Sequence, residues 1–224
     1  MPDDSLGRIL DAAYAGMLEQ GLRRLTMDDV ARRAGLSRVT LYRRFAGKGD
    51  LIGAVLQREL RRFLRAFEQE LAPLPATADR VVEGFAVTLR LVRAHPLLTR
   101  LLATEPETIL PQLTVEAGPY LAVAREYLAG RLAAPRAEAQ EAEEAEEAEE
   151  AEEAAEAMEA AEAVAETYVR VALSFVLIPD SAIPLRDDAD ARAYARRHLV
   201  PLLPRNGLAC PPPRLPTEGD QLDL

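Results

Sequence analysis

Apolar residues recur at three- and four-residue spacing along most of the chain, and alternation of single residues is rare, so the pattern predicts helices and not strands. The first stripe is Leu6, Ile9, Leu10, Ala13 and Met17, with Ser5 at the capping position and Gly21 at the stop. Two short helices follow. Thr26 caps one, with Asp29 three residues on and Leu25 and Val30 at staple spacing. Gly35 supplies a turn, and Ser37 caps the next helix, Arg38 to Arg44. A fourth helix opens at Gly47-Lys48-Gly49 and runs to about Leu71 on an inward stripe of Leu51, Val55, Leu60 and Phe63 or Phe67, until Pro73 and Pro75 end it.

Beyond the prolines a second helical block begins near Asp79. Val81, Val82, Phe85, Leu89 and Val92 share a face up to His95-Pro96, and Leu97 to Ala103 makes a short helix. Pro106 and Pro111 are expected to bracket a loop, and Leu113 to Ala133 to form a helix made irregular by Gly118-Pro119. In the repeat Glu141–Ala154, Ala returns every third residue, so the alanines spiral around the axis and give no fixed apolar face. The repeat is either an exposed helical extension under charge repulsion or a disordered insert. Helical spacing resumes from about Ala154, broadens after Val169 and stops at Pro179. A last helix spans about Ala189 to Leu203, and the Pro-rich tail from Asn206 is expected to be disordered. The fold class is therefore all-α. The expected division is a head over 1–50, with its connecting helix to about 71, and a body over 76–204 carrying an acidic insert at 137–157, followed by the tail 205–224.

Two adjacent capped helices with Gly in the turn between them are the signature of a helix-turn-helix. At about 100° per residue, Leu41 and Phe45 share the inward face of the second helix, while Val39 and Arg43 point away and Thr40 and Tyr42 flank them. An apolar back with an Arg/Thr/Tyr front suits a DNA major groove. The net charge of −10 changes this picture only until it is divided. Residues 1–70 carry 13 Lys/Arg against 10 Asp/Glu, and the segment 137–166 alone carries 14 acids and no base, so the acidity is local. The remaining chemistry is sparse. Cys210 is the only cysteine, which fits a reducing cytoplasm. No apolar run suits a membrane span, no secretory leader is evident, and no metal-spaced ligands, phosphate loop or nucleophile elbow occur. No enzyme, metal or cofactor is expected.

The string from Leu25 to Leu51 resembles the DNA-binding domain of the tetracycline-repressor-like (TetR) family of bacterial transcription regulators. The matching residues are Thr26, Val30-Ala31, Ala34-Gly35-Leu36-Ser37, Thr40-Leu41-Tyr42, Phe45, Lys48 and Asp50-Leu51. The family often carries a basic or polar residue at Asp28, and an aromatic or His just before the Phe, where this chain has Arg43-Arg44. The resemblance is dense over residues 6 to 60. It implies a cytoplasmic repressor that binds a palindromic operator as a homodimer and is released by a small apolar effector. It further implies phosphate contacts by Thr26, Tyr42 and Lys48, the last being the sole lysine beside 26 arginines. Base reading falls to Arg38, Thr40 and Arg44, with Val39 against a thymine methyl and Arg43 on the groove or its wall. The implied effector pocket draws on Phe85, Leu89, Leu102, Tyr120, Tyr127 and Phe175. The last two helices are expected to build the dimer interface, with Tyr168, Phe175, Tyr194 and Leu199 in it. A DNA-binding dimer with no effector is the alternative reading.

Overall fold

The computed structural model describes residues 5–74, 77–132 and 147–203. Every regular element among them is helical: α1 (Ser5–Arg24), α2 (Met27–Ala34), α3 (Arg38–Arg44), α4 (Lys48–Leu71), α5 (Thr77–Arg93), α6 (Pro96–Thr104), α7 (Pro106–Leu113), α8 (Gly118–Leu132), α9 (Glu147–Leu177) and α10 (Asp188–His198), closed by a 3-10 turn at Val200–Leu202.

The local signals in the head act as their chemistry dictates. Thr26 Oγ1 accepts the Asp29 backbone N–H at 3.1 Å, satisfying one of the free donors at the start of α2. The Asp29 carboxylate accepts a hydrogen bond from the Thr26 hydroxyl at 2.5 Å and is also held by the Thr26 backbone N–H, the reciprocal bond of a capping box. Gly35 turns with φ 65° and ψ 37°, its N–H going to Arg32 O and the next N–H, of Leu36, to Ala31 O, the paired bonds of a Schellman close. The carbonyls of Ala34 and Gly35 then accept Arg8 Nη2, a cation at the negative end of α2. Ser37 Oγ accepts from Thr40 N at 3.1 Å and starts α3. α1 begins at Ser5 itself, and Gly21, at φ 81° and ψ 175°, breaks its regular course.

Ile9, Met17, Leu25, Val30, Leu41, Leu51 and Val55 fill the space between α1, α2, α3 and α4, and the same core continues without a break into Leu97 and Leu101 of α6 and Ile109 of α7. A second core forms around α5, where Val82, Phe85, Ala86 and Leu89 meet Tyr168 and Ala172 of α9 and Ala191, Ala195 and Leu199 of the last helical segment. α8 and α9 meet through Ala129, Ala161 and Ala165, whose small side chains let two backbones come close.

Two expectations are corrected. The stretch expected as a Pro-bracketed loop is helical as α7: Pro106 occupies its first turn, where a missing N–H costs nothing, and Pro111 lies near its end. The next helix starts at Gly118 and not at Leu113, so Gly118-Pro119 is its opening turn and not an irregularity within it. The end of the acidic repeat, Glu147–Ala154, is the first part of the 31-residue α9, the helical one of the two alternatives for that stretch. The rest of the repeat, at 141–146, and the tail from 205 lie outside the described residues.

Candidate nucleic-acid interface and internal cavity

Leu41 anchors α3 with no exposure, and this turns the opposite face outward: Val39 is 77% exposed and Tyr42 51%. Arg38, Arg43 and Arg44 are also exposed, whereas Thr40 is half-buried and shares a hydrogen bond of 2.8 Å with Ser37 Oγ. An exposed Val and Tyr between arginines have no packing reason to be there. Arg38 does not extend freely from the helix: its Nε and Nη2 both donate to the carboxylate of Asp28, on the first turn of α2. Thr26 stands at the N-terminus of α2 with its hydroxyl proton on Asp29, which also accepts Arg32. These bonds hold the Asp29 carboxyl below its ordinary range, the Thr26 hydroxyl contributing most. Lys48 is the first residue of α4, and its Nζ donates to Arg23 O at 3.1 Å, leaving two of three ammonium donors for another acceptor. Thr26, Tyr42 and Lys48 thus stand at the start of α2, on the exposed side of α3 and at the start of α4.

A cavity of about 340 Å³ lies between α4, α5, α6, α7, α8 and α9. Its wall is almost wholly apolar, from Phe63 and Phe67 of α4 to Leu128 of α8 and Leu173 of α9. Of the residues expected to line it, Phe85 and Tyr120 do. Tyr120 is half-buried, and burial first, then the charge of Glu116, raises its pKa and keeps the phenol neutral.

The other four are placed elsewhere. Leu89 faces the second core, Leu102 packs on the core of the head, and Tyr127 lies edge-on to Phe67 with its hydroxyl on Glu68. Phe175 packs against Phe85 and Tyr194 at ring-centroid distances of 6.2 and 5.3 Å. The stripe of α4 faces inward, and its second half, Phe63 and Phe67, forms part of the cavity wall.

Glu59 and His95 are polar exceptions on that wall, and sequence reasoning assigned His95 only a helix end. His95 Nδ1 accepts the Leu98 N–H at 3.2 Å, capping α6, so its neutral form carries the proton on Nε2. Nε2 stands 3.6 Å from Glu59 Oε2, and the other oxygen of Glu59 takes Arg62 Nη1 at 2.9 Å. Nothing local in the sequence connects residues 59 and 95.

The residues expected at a dimer interface pack within the chain. The Tyr168 hydroxyl donates to Leu199 O at 2.9 Å in a buried site, and burial pushes its pKa far above the usual phenol range. Tyr194 stacks on Phe85 at 5.4 Å, and Leu199 is buried. All four, Phe175 among them, pack inside one protomer because α5 lies against both α9 and α10 and takes up their apolar faces.

Among the described residues no group of three or more His, Cys, Asp or Glu is placed to hold a metal, and no helix is long and apolar enough to cross a membrane.

Known proteins bear on this geometry. The family model for bacterial regulatory proteins of the tetR family matches residues 9–55, the segment from α1 to the first turns of α4. An uncharacterised HTH-type transcriptional regulator of Mycobacterium tuberculosis is 29% identical over 196 residues, covering 88% of this chain and 84% of its own. Another, from Mycobacterium bovis, is 32% identical over 120 residues, covering 50% and 62%. The crystal structure of the TetR family repressor AlkX from a Dietzia strain, implicated in biodegradation of n-alkanes, is similar with a TM-score of 0.61 and 25% identity, covering 90% of this chain and 96% of that one. The exposed arginine-bearing helix, the capped turn before it and these likenesses agree: residues 9–55 match the tetR-family head, and together they support a DNA-binding, helix-turn-helix transcriptional regulator of the TetR type.

Proposed function

We propose that the protein represses transcription as a homodimer on a palindromic operator and is released by a small apolar effector held in the internal cavity. The observation that carries this reading is a sharing of residues. Leu97, Leu101 and Ile109 line the cavity and also belong to the core of the DNA-binding head. A ligand that displaces them acts directly on the packing of α1 and α4, and packed cores respond in discrete steps. The wall composition supports an apolar ligand, since burying the polar groups of a hydrophilic one without partners costs several kcal/mol. The name of the similar Dietzia repressor, linked to n-alkanes, agrees with that chemistry.

In the head, Lys48, Thr26 and Tyr42 hold backbone phosphates, Lys48 acting with the N-terminus of α4. Arg38, Thr40 and Arg44 read base edges, Val39 meets a thymine methyl and Arg43 lies along the groove. The homodimer forms through α9 and the segments around α10, where Ile178, Ile183 and Leu202 remain exposed. The head, the body and the acidic insert act as three functional parts, with the insert dispensable for assembly.

The test begins with DNA selected from a random pool by the full chain. The selected sequence is expected to be palindromic and to bind two chains, measured by analytical ultracentrifugation. Lipophilic compounds are then screened for a raised unfolding temperature together with loss of operator binding. A monomer on a non-repeating site refutes the dimer, and compounds that stabilise without releasing DNA refute the effector role.

A further inference from the structure

We propose that Asp28 is the positioning residue for base recognition, its carboxylate fixing the plane of the Arg38 guanidinium so that Arg38 presents its end-on fork to a guanine. The proposal rests on the reading that Arg38 contacts a base.

The pairing is side-on. Nε and Nη2 of Arg38 both point at the Asp28 carboxylate, one to each oxygen. A guanidinium has five N–H groups in one plane. The side-on pair uses one on Nε and one on Nη2, so three remain, including the parallel pair on the two terminal nitrogens. That pair has the geometry that matches the O6 and N7 acceptors of guanine in the major groove. The ion pair therefore leaves the recognition edge free and fixes its direction.

Asp28 is the carboxylate suited to this task. Its neighbour Asp29 is committed to Thr26 and Arg32. The pair is not buried for stability, because the side chains of Arg38 and Asp28 are 67% and 46% exposed. An exposed ion pair contributes little to folding. Its physical effect lies in the long, flexible Arg side chain, which loses its rotamer freedom before DNA arrives and not on binding.

The same carboxylate stands on the DNA-facing side of the head, where it repels phosphates of every sequence. Non-specific affinity comes almost wholly from backbone electrostatics. A negative charge that weakens that component while orienting a base-reading fork widens the gap between right and wrong sites. This gives a role to Asp28, where the family often has a basic or polar residue.

The experiment uses the full-length protein, the DNA it selects, and that DNA with each of the other three base pairs at every position of the half-site. Affinities are measured at two salt concentrations for the wild type, Asp28→Asn, Asp28→Glu, Arg38→Ala and the double variant Asp28→Asn/Arg38→Ala. Wild type is expected to prefer guanine at one position per half-site, and Arg38→Ala to lose that preference. Asp28→Asn is expected to lower it by roughly 5-fold or more, within the range a bidentate arginine contact supplies, while binding non-cognate DNA more tightly at low salt. Asp28→Glu is expected to restore part of the preference, and adding Asp28→Asn to Arg38→Ala to change it no further. If Arg38→Ala leaves base preference intact, the base-reading role of Arg38 fails. If Arg38→Ala loses the preference and Asp28→Asn keeps it, only the positioning role fails, and a uniform rise in affinity then marks Asp28 as a repulsive charge alone. Circular dichroism and unfolding midpoints matched to wild type show that each variant retains the fold.

Discussion

Gly21→Ala tests how the end of α1 is joined to the corner between α6 and α7. Gly21 adopts φ 81° and ψ 175°, a region open almost only to glycine, and forcing Ala into it costs about 1–3 kcal/mol. The space is occupied as well. A Cβ on Gly21 lies 1.8 Å from Glu105 Oε1 and 2.7 Å from Cδ. The carboxylate has to leave, and with it goes the 3.0 Å hydrogen bond from Arg23 N to Glu105 Oε2. Hydrogen bonds to charged groups contribute about 1.5–3 kcal/mol, and partial exposure places this one near the lower value. The two terms together predict a loss of about 2.5–4.5 kcal/mol in urea unfolding. A double-mutant cycle with Glu105→Ala separates them. With the carboxylate absent, Gly21→Ala is expected to cost only the backbone part, about 1–3 kcal/mol. An equal cost in both backgrounds refutes the contact, and a cost below about 0.5 kcal/mol in the wild-type background, the range of ordinary surface changes, refutes the backbone conformation.

Lys48→Ala is expected to weaken binding to all DNA sequences alike and to reduce the salt slope by roughly 1 per head, read from affinities across a salt series. Ala124→Phe, on the cavity wall, is expected to fill the space and abolish the thermal shift given by lipophilic compounds while operator binding persists. Glu83 is held below the ordinary carboxyl value of 4.5, first by its hydrogen bonds to Arg192. A depressed folded-state pKa contributes stability above the unfolded value that disappears as pH falls through the folded one. Glu83→Gln is therefore expected to be less stable than wild type at pH 7, by on the order of 1 kcal/mol or less. The gap should close as pH drops below about 4.5 in denaturant titrations.

The sequence made legible whatever rests on neighbours. Thr26 with Asp29, Gly35 with Arg32, Leu36 with Ala31 and Ser37 with Thr40 are bonds across three to five residues, and each chemistry is visible in the string itself. The outward face of α3 followed from Leu41 and helical geometry alone. Other features depend on partners far away in the chain. The apolar surplus of Phe175 and Tyr194 looked like an interface between subunits, and a helical stripe does not say whether its partner is another chain or Phe85. Leu89, Leu102 and Tyr127 are apolar or aromatic like the residues of the cavity wall, and only the packing of α4 against α5 and α8 separates lining from filling. Pro106 and Pro111 were read as breakers, though a proline in the first turn is as much a helix opener. The link from Arg23 to Glu105 crosses 82 residues and leaves no local trace.

The uninterrupted core beneath the helix-turn-helix bears on how such regulators are recombined. A chimera that joins residues 5–71 to a foreign effector body separates Ile9, Met17 and Val55 from Leu97, Leu101 and Ile109, all buried here in one cluster. The donor body has to bring side chains of matching shape at those three places, or the graft opens voids costing a few kcal/mol each. Transplanting α6 and α7 along with the head keeps that surface closed. The unit of exchange in this protein is therefore set by side-chain fit across α1, α4, α6 and α7, and the proline-marked break after α4 is the wrong place to cut.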